Sequence, residues 1–216
     1  MKIKLEQVKA SYTADKRADA EKDPWAHYVA RPLSFYIAYL FIRTGIVVPV
    51  KVVFAGMYIG MIGCGFLISG YYWTMLVGAI LININGLLDY VDGDIARSTN
   101  SVDEYGGRLD GFNYLLITAL LFICIGIGLD DVTLFLVGVG ASFIRIFRFA
   151  ITYQANIPSE SGKPNIIIRA GMAVIGAREP LLLICAISGY LDIFLWLYLV
   201  INTCELVAVM LKIVRR

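Results

Sequence analysis

Leu87 to Leu116 reads LLDYVDGDIARSTNSVDEYGGRLDGFNYLL, and this stretch decides the fold because it sets carboxylates beside the most apolar parts of the chain. Asp89, Asp92, Asp94 and Asp110 interrupt sequence that otherwise avoids charge. A bare carboxylate in an oily setting is costly unless something positive neutralises it. The identity of that positive partner is the functional question.

Working outward, the chain has the composition of an integral membrane protein. It has 216 residues, 59% of them hydrophobic, and a mean hydropathy of +0.73. Only 17% are charged, against about a quarter in soluble domains. The net charge of +2 argues against a nucleic-acid role. Cys64, Cys124, Cys185 and Cys204 sit in apolar runs with no CxxC spacing, so burial is expected rather than a disulfide or zinc site. The opening MKIKLEQVKASYTADKRADAEKDPW is polar and has no apolar core, so no cleaved signal peptide is expected.

A helix needs about 20 apolar residues to cross a bilayer. That length predicts an all-α protein with six spans: Val48–Ser69, Tyr72–Ala96, Gly107–Leu129, Val132–Tyr153, Ile166–Ser188 and Ile193–Val214. Residues 48–216 then form one six-helix transmembrane domain. Residues 1–47 form an arm that ends in RPLSFYIAYLFIRTG, Arg31–Gly45. This short apolar segment reads as an amphipathic helix in the interface, with Trp25, His27 and Tyr28 at headgroup depth; a seventh crossing is the competing reading. His27 is the only histidine, which disfavours a histidine-based mechanism.

Lys and Arg concentrate in the arm, in the loop after the second span, in QANIPSESGKPN and in KIVRR, whereas SGYYW, LDDV and SGYLD carry none. The positive-inside rule makes the first set cytoplasmic. Both termini are then cytoplasmic, which requires an even number of crossings.

The acidic stretch falls at the cytoplasmic ends of the second and third spans. Asp89 and Asp92 share a helix face, Ala96 continues it, and Arg97 lies just beyond. Asp110 falls in the first turns of the next helix and can point back at the same spot. Such an oxygen-rich group suits a hard cation, Mg²⁺ or Mn²⁺. Gly93, Gly106 and Gly107 leave room for a ligand or a second helix.

These residues carry a resemblance. Asp89, Asp92, Gly93, Ala96 and Arg97, then Gly106 after eight residues, then Asp110, fill seven of the eight positions of D-x2-D-G-x2-A-R-x8-G-x3-D-x3-D. That pattern is the motif of the CDP-alcohol phosphotransferases, which the chain resembles along its whole length. The resemblance implies transfer of a phosphatidyl or other phospho-alcohol group from a CDP-linked lipid donor to an alcohol acceptor, with release of CMP. It implies that Asp89, Asp92 and Asp110 are ligands of a one- or two-metal site. Gly93, Ala96, Arg97 and Gly106 would line the nucleotide part, with Arg97 near the phosphates. Homodimers are common in that family.

The last motif aspartate, which in the family is both metal ligand and general base, falls on Tyr114, next to Asn113. Neither side chain replaces a carboxylate. A second departure is PVKVV, where many relatives carry P-N-x-[VL]-T: Val50 and Val53 occupy the two polar positions. Further polar groups lie inside spans: Asn83 and Asn85, Arg145 and Arg148, Arg169, and the triplet Arg178, Glu179, Pro180. Arg145, Arg148 and Arg169 suit an acceptor phosphate or a lipid headgroup. Arg178 and Glu179 are adjacent and need not pair on a helix, and Pro180 breaks the helix beside them. Three readings follow. The chain is an active transferase, a weak or inactive relative that binds metal and CDP-lipid, or a divalent-cation transporter using the same carboxylates.

Overall fold

The computed structural model describes residues 4–13, 17, 20, 21, 23–45, 48–154 and 176–214. Among them the only regular elements are helical: α1 (Leu5–Ala10), a π-helical turn (Ala26–Ala30) running into α2 (Arg31–Arg43), α3 (Pro49–Ile68), α4 (Tyr72–Ser98), α5 (Glu104–Gly128), α6 (Val132–Gln154), α7 (Arg178–Ser188) and α8 (Leu191–Val214). Five segments are long and apolar enough to cross a membrane: α3, α4, α5, Val132–Thr152 of α6 and Leu191–Leu211 of α8, with mean hydropathies from 1.5 to 2.0. The protein is thus a multi-pass integral membrane protein by length and composition of its helices.

Local chemistry ends these helices where the apolar runs end. Gly70 (φ +73°) and Gly189 (φ +76°) take the left-handed conformation at the turns before α4 and α8, which a residue without Cβ adopts without strain. The Asp131 carboxylate accepts the Leu134 N–H at 2.9 Å, and Asp103 accepts the Gly106 N–H at 2.6 Å. Each meets an otherwise unpaired donor at a helix start.

The fifth expected crossing, Ile166–Ser188, does not appear as a full-length span among the described residues. Of Ile166–Ser188, only the end is described, and α7 there has 11 residues. At 1.5 Å per residue a helix of that length is about half of what a bilayer core requires. Pro180 does not interrupt a helix: it is the third residue of α7, in the first turn, where its missing N–H has no intrahelical partner to lose. Arg178 and Glu179, expected to diverge, do pair, with Arg178 Nε donating to Glu179 Oε1 at 3.0 Å. Both sit at the helix start, where rotamers reach across adjacent positions. Arg169 lies outside the described residues.

By contacts the chain divides into two compact units. One comprises the described residues of 1–60, 81–113 and 166–180. Its core joins Val8 of α1, Ala38 and Ile42 of α2, Val52 of α3, and Leu88, Val91 and Ile95 of α4. The Asn83 side chain donates to the Glu179 carbonyl at 3.0 Å, so this mid-span amide serves helix–helix bonding.

The other unit comprises the described residues of 61–80, 114–165 and 181–216. Here α8 packs along α6. Phe122, Phe194 and Tyr198 cluster, with ring centroids 4.6 Å apart for Phe194 and Tyr198. Ser142 Oγ donates to the Ala119 carbonyl at 2.7 Å. The outward side chains are apolar, with Phe143 67% and Val200 57% exposed, as expected of surfaces whose solvent is lipid. A Cβ on Gly138 would stand 2.3 Å from the Phe122 carbonyl oxygen, so α5 and α6 touch backbone to backbone. Gly138→Val is therefore expected to destabilise the protein by about 1–3 kcal/mol through overpacking. A thermal melt in detergent checks this, and an unchanged melting temperature would disprove the tight contact.

Candidate active site

The first unit encloses a cavity of about 630 Å³. The start of α3 contributes Pro49, Val50 and Val53, the end of α4 contributes Asp92, Gly93, Ala96 and Arg97, and the start of α5 contributes Gly106, Gly107 and Asp110. Six sequence-predicted residues, Asp92, Gly93, Ala96, Arg97, Gly106 and Asp110, thus line one cavity. Val50 and Val53 make the opposite contribution, an apolar surface at positions where the resembling family is polar.

Two of the carboxylates offer bare oxygens. Asp92 Oδ2 and Asp110 Oδ1 are buried without a hydrogen-bond partner, an arrangement that costs free energy until a partner arrives. Asp89 is not on the cavity lining; its side chain comes within hydrogen-bonding reach of Asp110. The carboxylates are close but not gathered round one point. Among the described residues no three His, Cys, Asp or Glu side chains form a group able to hold a metal ion. The donor set nevertheless fits a hard divalent cation, because it is all oxygen and two of its carboxylates, Asp92 and Asp110, line the cavity and each keep one oxygen without a hydrogen-bond partner.

Arg97 reaches the cavity with its guanidinium already engaged. Its Nη2 donates to Asp94 Oδ1 at 2.7 Å, while its Nε is buried without a partner. A Cβ on Gly93 would lie 3.2 Å from both terminal nitrogens of Arg97, so glycine at this position leaves the guanidinium its place. Gly106 has a comparable task, since a Cβ there would stand 2.7 Å from the capping Asp103 oxygen.

Sequence reasoning gave Asp94 no role. The structure makes it the most connected carboxylate of the stretch: besides Arg97 it accepts Arg31 Nη1 at 3.3 Å and Ser34 Oγ at 2.6 Å. Its side chain is 1% exposed. The available signal was Asp94 and Arg97 three apart on one helix face.

Asn113 is buried, with its side-chain oxygen unpartnered, and it does not line the cavity. Tyr114 belongs to the second unit. There Arg145 donates to the Tyr114 phenol oxygen and sits 5.3 Å over its ring. Arg145 Nη1 also donates to Glu205 at 2.8 Å, and Arg148 Nε lies 3.2 Å from the same carboxylate oxygen, close enough for an ion pair but not aligned as a hydrogen bond. The two arginines expected to await a phosphate thus share a protein carboxylate. Glu205 was legible only as a lone acid in the last apolar run.

No curated protein matches the chain. The sequence profile of the CDP-alcohol phosphatidyltransferase family matches residues 37–214, a stretch that takes in all five apolar helices and the whole acidic motif, and the chain belongs to that family.

Proposed function

We propose that the protein transfers a phosphatidyl or related phospho-alcohol group from a CDP-linked lipid donor to an alcohol acceptor. The acceptor oxygen forms a bond to the phosphorus that carries the lipid alcohol, the bridging P–O bond to CMP breaks, and the acceptor proton passes to solvent or a base. The observation that carries the reading is the cavity lined by six motif residues, two of which, Asp92 and Asp110, each keep a buried carboxylate oxygen without a hydrogen-bond partner.

In this reading Asp89, Asp92 and Asp110 hold Mg²⁺ or Mn²⁺, which when bound neutralises the diphosphate and the leaving CMP. Arg97 meets a phosphate oxygen through charge-assisted hydrogen bonds, while Gly93 and Ala96 admit the nucleotide. Arg145 and Arg148 keep one positive charge beyond what Glu205 neutralises, which suits an anionic acceptor. The hydrogen bond that Tyr114 accepts from Arg145 favours a second reading, a slow relative, because no carboxylate stands at that position to take the proton. The proposal includes six crossings, α2 lying in the interface, and termini and cavity on the cytoplasmic side, supported by the Lys and Arg distribution.

The test is CMP release from CDP-diacylglycerol in inverted and right-side-out membrane vesicles, across a panel of alcohols, with Mg²⁺ or Mn²⁺. Slow release that needs both alcohol and metal, and appears outside inverted vesicles only, is expected. CDP-diacylglycerol at a hundred times its dissociation constant is expected to add about 2.7 kcal/mol to apparent stability. Absence of both effects would overturn the reading, and metal flux without CMP release would favour a cation transporter.

A further inference from the structure

We propose that Asp94 is a positioning residue that sets the aim of Arg97 and thereby the affinity of the cavity for the CDP moiety; this rests on the function proposed above. Asp94 is not itself a lining residue of the cavity, yet its carboxylate is the meeting point of three donors from two separate parts of the chain. Oδ1 takes Arg97 at 2.7 Å and Arg31 at 3.3 Å, and Oδ2 takes Ser34 at 2.6 Å. With both oxygens occupied, the carboxylate cannot rotate without breaking a charge-assisted bond.

Arg31 is itself immobilised. Its guanidinium lies 5.0 Å from the Tyr12 ring centroid and 4.6 Å from that of Tyr90, so cation–π contacts hold it from two sides. Ser34 Oγ also stands 3.0 Å from the Arg31 carbonyl, an alternative acceptor for its single hydroxyl proton. Asp94 is therefore fixed by α2 and passes that fixation to Arg97. Charge makes the same point: one carboxylate serves two guanidinium groups, leaving one positive charge, and of the two arginines Arg97 is the one on the cavity wall. An anionic phosphate there meets an arginine already aimed, and preorganisation of this kind lowers the cost of binding.

The experiment is a double-mutant cycle on CMP affinity, measured by calorimetry on the full-length protein in detergent with Mn²⁺. Asp94→Asn keeps the shape and removes the charge, and it is expected to raise the CMP dissociation constant about tenfold. Ser34→Ala keeps both ion pairs and is expected to raise it about threefold; it serves if Asp94→Asn fails to fold. In an Arg97→Ala background both effects are expected to vanish, because coupled residues are non-additive. A merely structural Asp94 would give losses that add to that of Arg97→Ala, or a lower melting temperature with unchanged CMP affinity, and either result overturns the positioning role. A parent protein that binds no CMP would overturn the underlying reading of the cavity, and the positioning role with it.

Discussion

Replacing Asp92 by alanine is expected to abolish measurable CMP release, a loss of about 10³-fold or more, while leaving the melting temperature of the ligand-free protein unchanged or higher. The two halves of this prediction come from one observation. Asp92 is 7% exposed, lines the cavity, and keeps Oδ2 buried with no protein partner. A buried acceptor left unpaired is a liability of about 1–3 kcal/mol, so its removal relieves strain in the fold. The same residue is a carboxylate on the lining of the cavity where the proposed reaction would bring a diphosphate. Removing it takes several kcal/mol from the neutralisation of transition-state charge, and each 1.4 kcal/mol is about tenfold in rate. Catalytic sites are often locally destabilising in this way. The checks are CMP release and a thermal melt on the same preparations, with metal titrated into each. An alanine variant that melts markedly lower would show Asp92 to be a structural partner, and one that keeps its activity would end the assignment.

The second large effect concerns Tyr114, one helical turn beyond Asp110 on α5. A carboxylate there supplies the resembling family with a base and a metal ligand, and a general base contributes about 10²–10⁴-fold. Tyr114→Asp is accordingly expected to raise CMP release by about 10³-fold and to tighten metal binding. The structure adds a cost. Arg145 donates to the phenol oxygen and packs over the ring, so the shorter aspartate gives up a cation–π contact of about 1–2 kcal/mol and an aromatic body. Faster turnover with a lower melting temperature is the expected combination. Rates and melts of parent and variant under matched metal and lipid decide it. An active parent crippled by Tyr114→Asp would show instead that the Arg145–Tyr114 contact is part of the working enzyme.

Glu205 shows how far side-chain partners lie beyond local reading. Arg145 and Arg148 are recognisable in SFIRIFRF as intramembrane charge, and such charge calls for a partner. Which acid answers depends on α8 packing along α6, across 60 positions of sequence. Asp94 and Arg31 are joined across 63 positions in the same way. No window of helical length contains either pair.

Alone, the sequence determined the class, the ends of α3, α4, α5, α6 and α8 to within a few residues, and six of the seven filled motif positions as a group that lines one cavity, with Asp89 off the lining. These are properties of short windows: about 20 apolar residues make a span, Gly70 and Gly189 mark turns, and carboxylates at helical spacing share a face. Tertiary structure alone decided which charges are occupied and which are bare. Asp94, similar to Asp92 in the sequence and two residues away, spends its carboxylate on Arg31, Ser34 and Arg97, while Asp92 lines the cavity and keeps one buried oxygen without a hydrogen-bond partner. Two residues on a helix point about 200° apart, and what each then meets is set by the packing of α2 on one side and the opening between α3 and α5 on the other.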